Sequence, residues 1–391
     1  MTRKSVMLTT TRDTSMTTFY RGYLSYLRQK GWDVTVVASS TGKLEEFASM
    51  EGVRGIDLPM ERNPSPIKDA LSLLRWIRIL RLHRPNVLVA ATPKASLLAL
   101  TAARLTACPT RIYQVWGLRF ETTTGWHRIL FRTLERVAAT MATDVICNSR
   151  SLASVAEASG VTGGHAPRVL GDGSSHGVDL EYYSRDAQFP ELPETTSDFL
   201  KEHAGFTVIG FVGRITPDKG VEVLLEALQV CHDRGLPIAC VVVGSAEDGA
   251  LSKRLIDSES LYPMIHFAGA AEDPRPYFAA FDVLCLPSRR EGFPNVVLEA
   301  AAMGIPAIVT DSTGTVDSVQ DGITGRIVTT DDTKALAQAL EHAALNHQYW
   351  RDMGVAARSR AEAKFSKHRL WRLQEEAIQE TLLAIAPAED R

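Results

Sequence analysis

Short apolar runs alternate with stretches of helical periodicity along nearly the whole chain, and the alternation runs twice. In the first half, residues 5–10, 33–40, 86–92, 111–116 and 144–149 read as strands. Between them, residues 17–30, 66–84, 94–107 and 126–142 read as helices; Phe19, Tyr23, Tyr26 and Leu27 illustrate the spacing. Strands separated by helices of about 10–15 residues predict βαβ units and a parallel sheet. The continuous run Val87-Leu88-Val89-Ala90-Ala91 predicts burial on both faces. Residues 186–205 break the rhythm with Phe189-Pro190-Glu191-Leu192-Pro193, a linker composition. The alternation then restarts, with strands expected at 207–212, 239–243, 264–268, 282–286, 307–309 and 325–328. Beyond residue 330 the chain reads as helical, anchored by Leu336, Leu340, Trp350, Phe365, Leu370, Leu373 and Ile378. The expected architecture is α/β, with two Rossmann-like, doubly wound domains. They span residues 1–185 and 206–365, joined by a linker at 186–205, and a C-terminal helix at 366–391 is able to cross back to the first domain. Two such domains would face a cleft between the carboxyl ends of their sheets, where open α/β sheets bind ligands.

Composition narrows the class. Of 391 residues, 45% are hydrophobic and 23% charged, which excludes wholesale disorder. No uncharged apolar run reaches the roughly 18 residues of a membrane span. The basic start Arg3-Lys4 precedes an apolar run too short for a signal peptide. Cysteines 108, 147, 231, 240 and 285 are scattered, without the Cys-x-x-Cys spacing of a zinc cage. No two of the ten histidines form a His-x-x-x-His pair. These features predict a cytoplasmic, reduced protein with no metal and no bound cofactor. Charge is uneven: residues 1–185 hold 24 Lys and Arg against 15 Asp and Glu, and the remainder hold 19 against 31. The first half, at +9, should favour an anionic surface or substrate. No basic cluster is dense enough, and no aromatic signature present, for nucleic acid.

Two segments of the second half carry chemistry. In Gly210-Phe211-Val212-Gly213-Arg214-Ile215-Thr216-Pro217-Asp218-Lys219-Gly220, a strand meets a turn and a helix start. Gly213 permits the bend, and Arg214 and Lys219 flank the turn. They read either as two cations for a leaving diphosphate or as solvated loop charges. In Ser288-Arg289-Arg290-Glu291-Gly292-Phe293-Pro294-Asn295-Val296-Val297-Leu298-Glu299, a loop opens a helix. Amides near Gly292, Phe293, Pro294 and Asn295 can receive an anion or sugar hydroxyls. Glu291 lies in the loop and Glu299 eight residues on, expected two turns into the helix.

Arg214-x₄-Lys219 together with Glu291-Gly292-Phe293-x₅-Glu299 and Asp321-Gly322-x₂-Gly325 resembles the retaining GT-B glycosyltransferases of family 4. In the first half, Thr92-Pro93-Lys94-Ala95, Trp116-Gly117-Leu118-Arg119-Phe120-Glu121 and Gly173-Ser174-Ser175-His176-Gly177 resemble its bacterial capsule, O-antigen and polyprenyl-linked glycan branch. The resemblance implies that Arg214 and Lys219 hold the nucleotide diphosphate, Glu299 the ribose, and Glu291 the donor sugar. It places the nucleobase against the loop from Gly269 to Asp273. It implies a front-face reaction without a metal. On the acceptor side, Lys94, Arg119, Glu121, Ser175 and His176 are the candidates. Gly173-x-Ser175-x-Gly177 also matches a hydrolase nucleophile elbow, which needs a strand before it and a helix after it.

The expected activity is transfer of a sugar from a nucleotide sugar, for preference a UDP-sugar, to a hydroxyl of a polyprenyl-linked or other cell-surface glycan. A nucleotide-sugar epimerase or hydrolase, or a non-catalytic sugar-nucleotide-binding protein, is the alternative. Arg75, Arg78 and Arg81 recur beside Trp76, Ile77 and Leu80. They suit peripheral attachment to the inner face of the cytoplasmic membrane, or equally a helix with a solvated basic face.

Overall fold

The computed structural model describes residues 4–61, 64–245 and 263–385. It divides into two compact units, residues 1–176 with 368–391, and residues 177–367. The first unit has a seven-stranded sheet: β1 (Ser5–Arg12), β2 (Asp33–Ser39), β3 (Arg54–Asp57), β4 (Val87–Ala91), β5 (Thr110–Val115), β6 (Asp144–Cys147) and β7 (Arg168–Val169). Its order is β3-β2-β1-β4-β5-β6-β7, and every pair is parallel. The second unit has six: β8 (Thr207–Val212), β9 (Ile238–Val243), β10 (Ile265–Gly269), β11 (Val283–Leu286), β12 (Ala307–Thr310) and β13 (Gly325–Val328). Their order is β10-β9-β8-β11-β12-β13, again all parallel. Both sheets reverse direction of growth once, between β1 and β4 and between β8 and β11. Such reversals open a crevice at the strand carboxyl ends.

The central strands are apolar along their length because helices cover both faces: β4, β9, β11 and β12 are buried at every residue. Two edge strands escaped the sequence reading. Arg54–Asp57 is mostly exposed, and Arg168–Val169 is only two residues long, so neither carries an apolar run.

The helix expected over 17–30 is two helices, Asp13–Phe19 and Tyr23–Gln29. Gly22 breaks it. Its φ is +80°, and a Cβ there would lie 2.7 Å from the Trp371 ring. Trp371 belongs to the last helix, Lys367–Ile385, described here to residue 385; residues 386–391 of the expected helix lie outside the described residues. From His368 on, this helix packs with the first unit. Trp32 Nε1 donates to Glu375 Oε1 at 3.2 Å, and Thr381 Oγ1 donates to Asp144 Oδ2 at 3.0 Å.

Residues 186–205, expected as a linker, contain the helix Glu194–Glu202. Phe189, Leu192, Phe199 and Leu200 pack against the core of the second unit. The charge asymmetry follows the observed division: the first unit carries 26 Lys and Arg against 18 Asp and Glu, the second 17 against 28.

The helix Pro66–His83 corrects one detail of the sequence reading. Trp76 is fully buried and Leu80 nearly so, both in the first unit's core. Burying an aromatic side chain of this size contributes about 2–3 kcal/mol, so these residues anchor the helix to its sheet and are not available outside. The exposed apolar residues are Ile67 (78%), Leu71 (52%), Leu74 (63%) and Leu82 (75%), which lie among the exposed Arg75, Arg78 and Arg81. Among the described residues no helix is long and apolar enough to cross a membrane.

Candidate functional site

The second unit's candidates gather at the carboxyl ends of β8 and β11, the adjacent strands at the reversal. After β8 the chain passes Gly213 and the exposed Arg214, then makes a 3₁₀ turn, Pro217–Lys219. Gly220 ends that turn with φ +64°. A Cβ there would sit 2.2 Å from the Pro287 carbonyl oxygen, so only glycine lets the Lys219 turn lie against the end of β11. The helix Val221–Asp233 follows.

After β11 comes the loop 288–294, then the helix Asn295–Ala302. Lys219 Nζ meets Glu291 Oε1 at 2.5 Å, with both side chains about one-sixth exposed (17% and 16%). Ser288 Oγ donates to the same carboxylate oxygen at 2.9 Å. So a cation and a carboxylate from neighbouring loops are paired at the sheet's carboxyl edge. The pairing is tightened by residues that sequence reading missed. Arg289 binds Glu222 at 2.5 Å and Asp331 at 2.7 Å, and donates to the Pro217 carbonyl. Arg290 binds Asp218 at 2.6 Å. Two adjacent arginines beside Glu291 were the available signal, since facing acids at 218 and 222 can clamp one loop to the other. Beneath the loop, Thr310 and Ser312 hydroxyls donate to the Ser288 carbonyl, the latter at 2.7 Å, and Ser312 and Thr315 hydroxyls lie 2.6 Å apart. All three side chains are buried, so the loop rests on a satisfied polar network.

Gly292, Phe293 and Pro294 are buried in front of the helix. The Phe293 ring packs against Phe365 at 5.4 Å between centroids, so what Phe293 can offer a ligand is its backbone amide. Asn295 is the first helical residue. Glu299 therefore sits about one turn into the helix, where the sequence reading had two. Burial raises its carboxyl to about 7, while a hydrogen bond from the Tyr183 hydroxyl works in the opposite direction. Gly269 ends β10, and Asp273 beyond it is gripped by Arg275, with Nε to Oδ1 at 2.8 Å and Nη2 to Oδ2 at 2.5 Å.

In the first unit, Lys94, Arg119, Glu121, Ser175 and His176 all follow carboxyl ends of its strands: β4, β5 and β7. Lys94 Nζ is held by both Asp69 oxygens, at 2.6 and 2.5 Å, and is 9% exposed. Arg119 lies over the Phe131 ring at 4.6 Å. Thr92, just before Lys94, adopts φ +70°, a strained value for a β-branched residue. Its hydroxyl accepts from Thr11 N at 2.9 Å, which ties the carboxyl end of β1 to the turn after β4 at the reversal. Ser175 Oγ and His176 Nδ1 are 2.9 Å apart, and Gln374 donates to the Ser175 carbonyl at 2.5 Å. Strand β7 precedes Ser175, but the next helix begins only at Glu194. The strand-turn-helix of a nucleophile elbow is therefore absent there. Among the described residues no group of three or more His, Cys, Asp or Glu is arranged to hold a metal ion.

Comparison with known proteins bears on both units. Residues 207–346 match the family described as glycosyl transferases group 1, and residues 15–169 match a glycosyl transferase 4-like domain. The capsular polysaccharide biosynthesis glycosyltransferase CapM of Staphylococcus aureus is 33% identical over 355 residues, 90% of each chain. The Escherichia coli UDP-Gal:alpha-D-GlcNAc-diphosphoundecaprenol alpha-1,3-galactosyltransferase is 26% identical over 329 residues, 80% of each. Among solved structures, Anabaena Alr3699/HepE in complex with UDP superposes with a TM-score of 0.76 at 20% identity, covering 96% of this chain and 100% of that one. Sucrose-phosphate synthase from Thermosynechococcus elongatus gives 0.79 at 19%, covering 98% and 100%.

Two Rossmann-like units with this strand order, and these matches, define a glycosyltransferase of GT-B fold. The chain belongs to the group 1 glycosyltransferases of family 4, together with its capsular polysaccharide relative.

Proposed function

We propose that the chain moves a sugar, with retention at the anomeric carbon, from a nucleotide sugar to a hydroxyl of a polyprenyl-linked or other cell-surface glycan. A UDP-sugar is the proposed donor. The observation that carries this reading is the clamped pair of loops at the β8/β11 reversal, which brings Lys219, Glu291 and the Asn295–Ala302 helix to one sheet edge. In the reaction, the bond from the anomeric carbon to the diphosphate oxygen breaks. The acceptor oxygen bonds the same face, and its proton passes to the departing diphosphate. Arg214 and Lys219 stabilise the charge that develops on that diphosphate. Glu299 accepts from the ribose hydroxyls, and Glu291 with amides at 292–295 orients the sugar. Lys94, Arg119, Glu121, Ser175 and His176 are assigned to the acceptor side. Support comes from HepE, which is solved in complex with UDP, and from the E. coli relative, a UDP-Gal:alpha-D-GlcNAc-diphosphoundecaprenol galactosyltransferase.

The test is incubation with a panel of nucleotide sugars, with and without a membrane extract, following nucleotide release. Release that requires the extract supports transfer. Release without it favours the epimerase or hydrolase reading, and binding without turnover favours a non-catalytic protein. Two variants separate the carboxylates. Glu299→Ala should weaken even free UDP by about 10–100-fold, because hydrogen bonds to a charged group contribute roughly 1.5–3 kcal/mol. Glu291→Ala should leave free UDP nearly unchanged and lower transfer. The same pattern in both, by isothermal titration and turnover, would reverse the assignment of ribose and sugar.

The first unit is proposed to rest on the anionic inner face of the cytoplasmic membrane through the helix Pro66–His83. Ile67, Leu71, Leu74 and Leu82 supply apolar insertion, and Arg75, Arg78 and Arg81 lie beside them. Each arginine near an anionic surface contributes about 1 kcal/mol, lost within a Debye length as salt rises. The protein should float with anionic liposomes at about 0.05 M salt, less at about 0.5 M. Arg75→Glu with Arg78→Glu should abolish it. Equal flotation with neutral lipid, or none with anionic lipid at low salt, would leave a solvated basic face.

A further inference from the structure

We propose that Ser288 is a positioning residue for Glu291: its buried hydroxyl ties up one carboxylate oxygen and turns the other toward a hydroxyl of the donor sugar. The proposal rests on the reading of Glu291 as the sugar contact and goes one residue beyond it. Ser288 lies two residues past the end of β11 and is fully buried.

The hydroxyl has one direction open to it. Its Oγ lies 2.9 Å from Glu291 Oε1, and a carboxylate paired with a lysine only accepts, so the serine donates. The Ser288 carbonyl is held from beneath by Thr310 Oγ1 and by Ser312 Oγ, the latter at 2.7 Å. Thr315 Oγ1 donates in turn to the Ser312 carbonyl at 2.7 Å. Thr310 ends β12, so this bed of hydroxyls is anchored in the strand beside β11. The backbone of Glu291 is fixed from the same side. Its N–H donates to the Thr313 carbonyl at 2.8 Å. Gly314 has φ +78°, and a Cβ there would lie 2.5 Å from the Glu291 carbonyl oxygen. Only glycine lets the loop after β12 approach so closely.

A carboxylate offers about four lone-pair positions, two on each oxygen. Glu291 Oε1 takes Lys219 Nζ at 2.5 Å and Ser288 Oγ at 2.9 Å, which fills it. Oε2 accepts no hydrogen bond among the described residues, and it is the oxygen turned to the sugar. The two groups on Oε1 respond differently to a nucleotide. Lys219 is the cation assigned to the diphosphate, so an arriving diphosphate draws it away from Glu291. Ser288 is neutral and buried, and a phosphate has no such pull on it. The carboxylate therefore keeps its orientation through Ser288 when the donor binds.

The experiment measures, by isothermal titration, affinities for UDP, UDP-glucose, UDP-galactose and UDP-N-acetylglucosamine. The proteins are wild type, Ser288→Ala, Ser288→Cys, Glu291→Ala, and Ser288→Ala combined with Glu291→Ala. The UDP-sugar that wild type binds best is the reference, and its affinity is divided by that for UDP. Changes in this ratio between variants report the sugar contact, because both ligands share the nucleotide. Ser288→Ala should lower the ratio by about 3–10-fold, the range set by one hydrogen bond, and leave UDP unchanged. Ser288→Cys keeps nearly the same volume with a weaker donor and should fall between, and it carries the comparison if the alanine variant does not fold. In the Glu291→Ala background the Ser288 change should add nothing, because no carboxylate remains to be aimed. A merely structural role would lower UDP and UDP-sugar alike, or persist in the double variant, and either result overturns the proposal. If Glu291→Ala lowers the ratio while both Ser288 variants match wild type, the Ser288 proposal falls and the sugar assignment stands. If Glu291→Ala leaves the ratio unchanged, the sugar assignment itself falls. Failure of every one of these ligands to bind overturns both.

Discussion

Replacing Lys219 with alanine is expected to cut turnover by about 10²–10³, and replacing Arg214 to do the same, by analogy with loss of one preorganised donor to a developing negative charge. Both residues lie on the turn after β8 and neither side chain is in the core, so the circular dichroism melt should stay close to wild type. The two variants should differ in one respect. Lys219 is the ion-pair partner of Glu291, so its loss leaves that carboxylate with Ser288. Combining Lys219→Ala with Glu291→Gln should therefore cost less than the sum of the single changes, since the two groups interact directly. Turnover near wild type in both Arg214→Ala and Lys219→Ala, measured at saturating donor, would sink the diphosphate assignment.

The second large effect concerns stability and pH. Glu135, on the helix Gly125–Met141, is 3% exposed and accepts a hydrogen bond from Tyr113 of β5. Burial raises its carboxyl from 4.5 to about 7. The folded chain thus holds this proton more tightly than the unfolded chain. The contribution is stabilising below about pH 4.5, declines between about 4.5 and 7, and is flat above. The amount lost across that window is about 3 kcal/mol. Burial lowers His83 and His176, which acts in the opposite direction as pH rises. The decisive quantity is therefore the difference between wild type and Glu135→Gln. Urea denaturation at pH 5 and pH 8 should show wild type losing more stability than the variant. Parallel losses would mean that Glu135 stays ionised in the folded chain.

Much of this fold could be read from local pattern, because buried parallel strands are apolar along their length. Thr207–Val212 and Gly325–Val328 coincide with the expected strands. What failed was decided by distant partners. The helix breaks at Gly22, where φ is +80° and Trp371 leaves no room for a Cβ. Trp76 looked like a surface anchor in a basic helix, but an indole of that size is worth more in the core than in water. At the candidate site, the cations and carboxylates stood out by spacing, since each loop is contiguous in sequence. Their cross-clamping by Arg289 and Arg290 joins segments about 70 residues apart. No periodicity records such a pairing.

The return of residues 368–385 to the first unit has a consequence for how the chain comes into being. On the ribosome, both sheets are made before the helix that supplies Trp371, Glu375 and Thr381. Until then the hollow beside Gly22 is empty, and the Trp32 indole and the Asp144 carboxylate lack these partners. The second unit, by contrast, is one unbroken stretch of sequence and is complete when residue 367 emerges. The half made first is thus the half finished last, against the usual order in which amino-terminal domains mature first during synthesis.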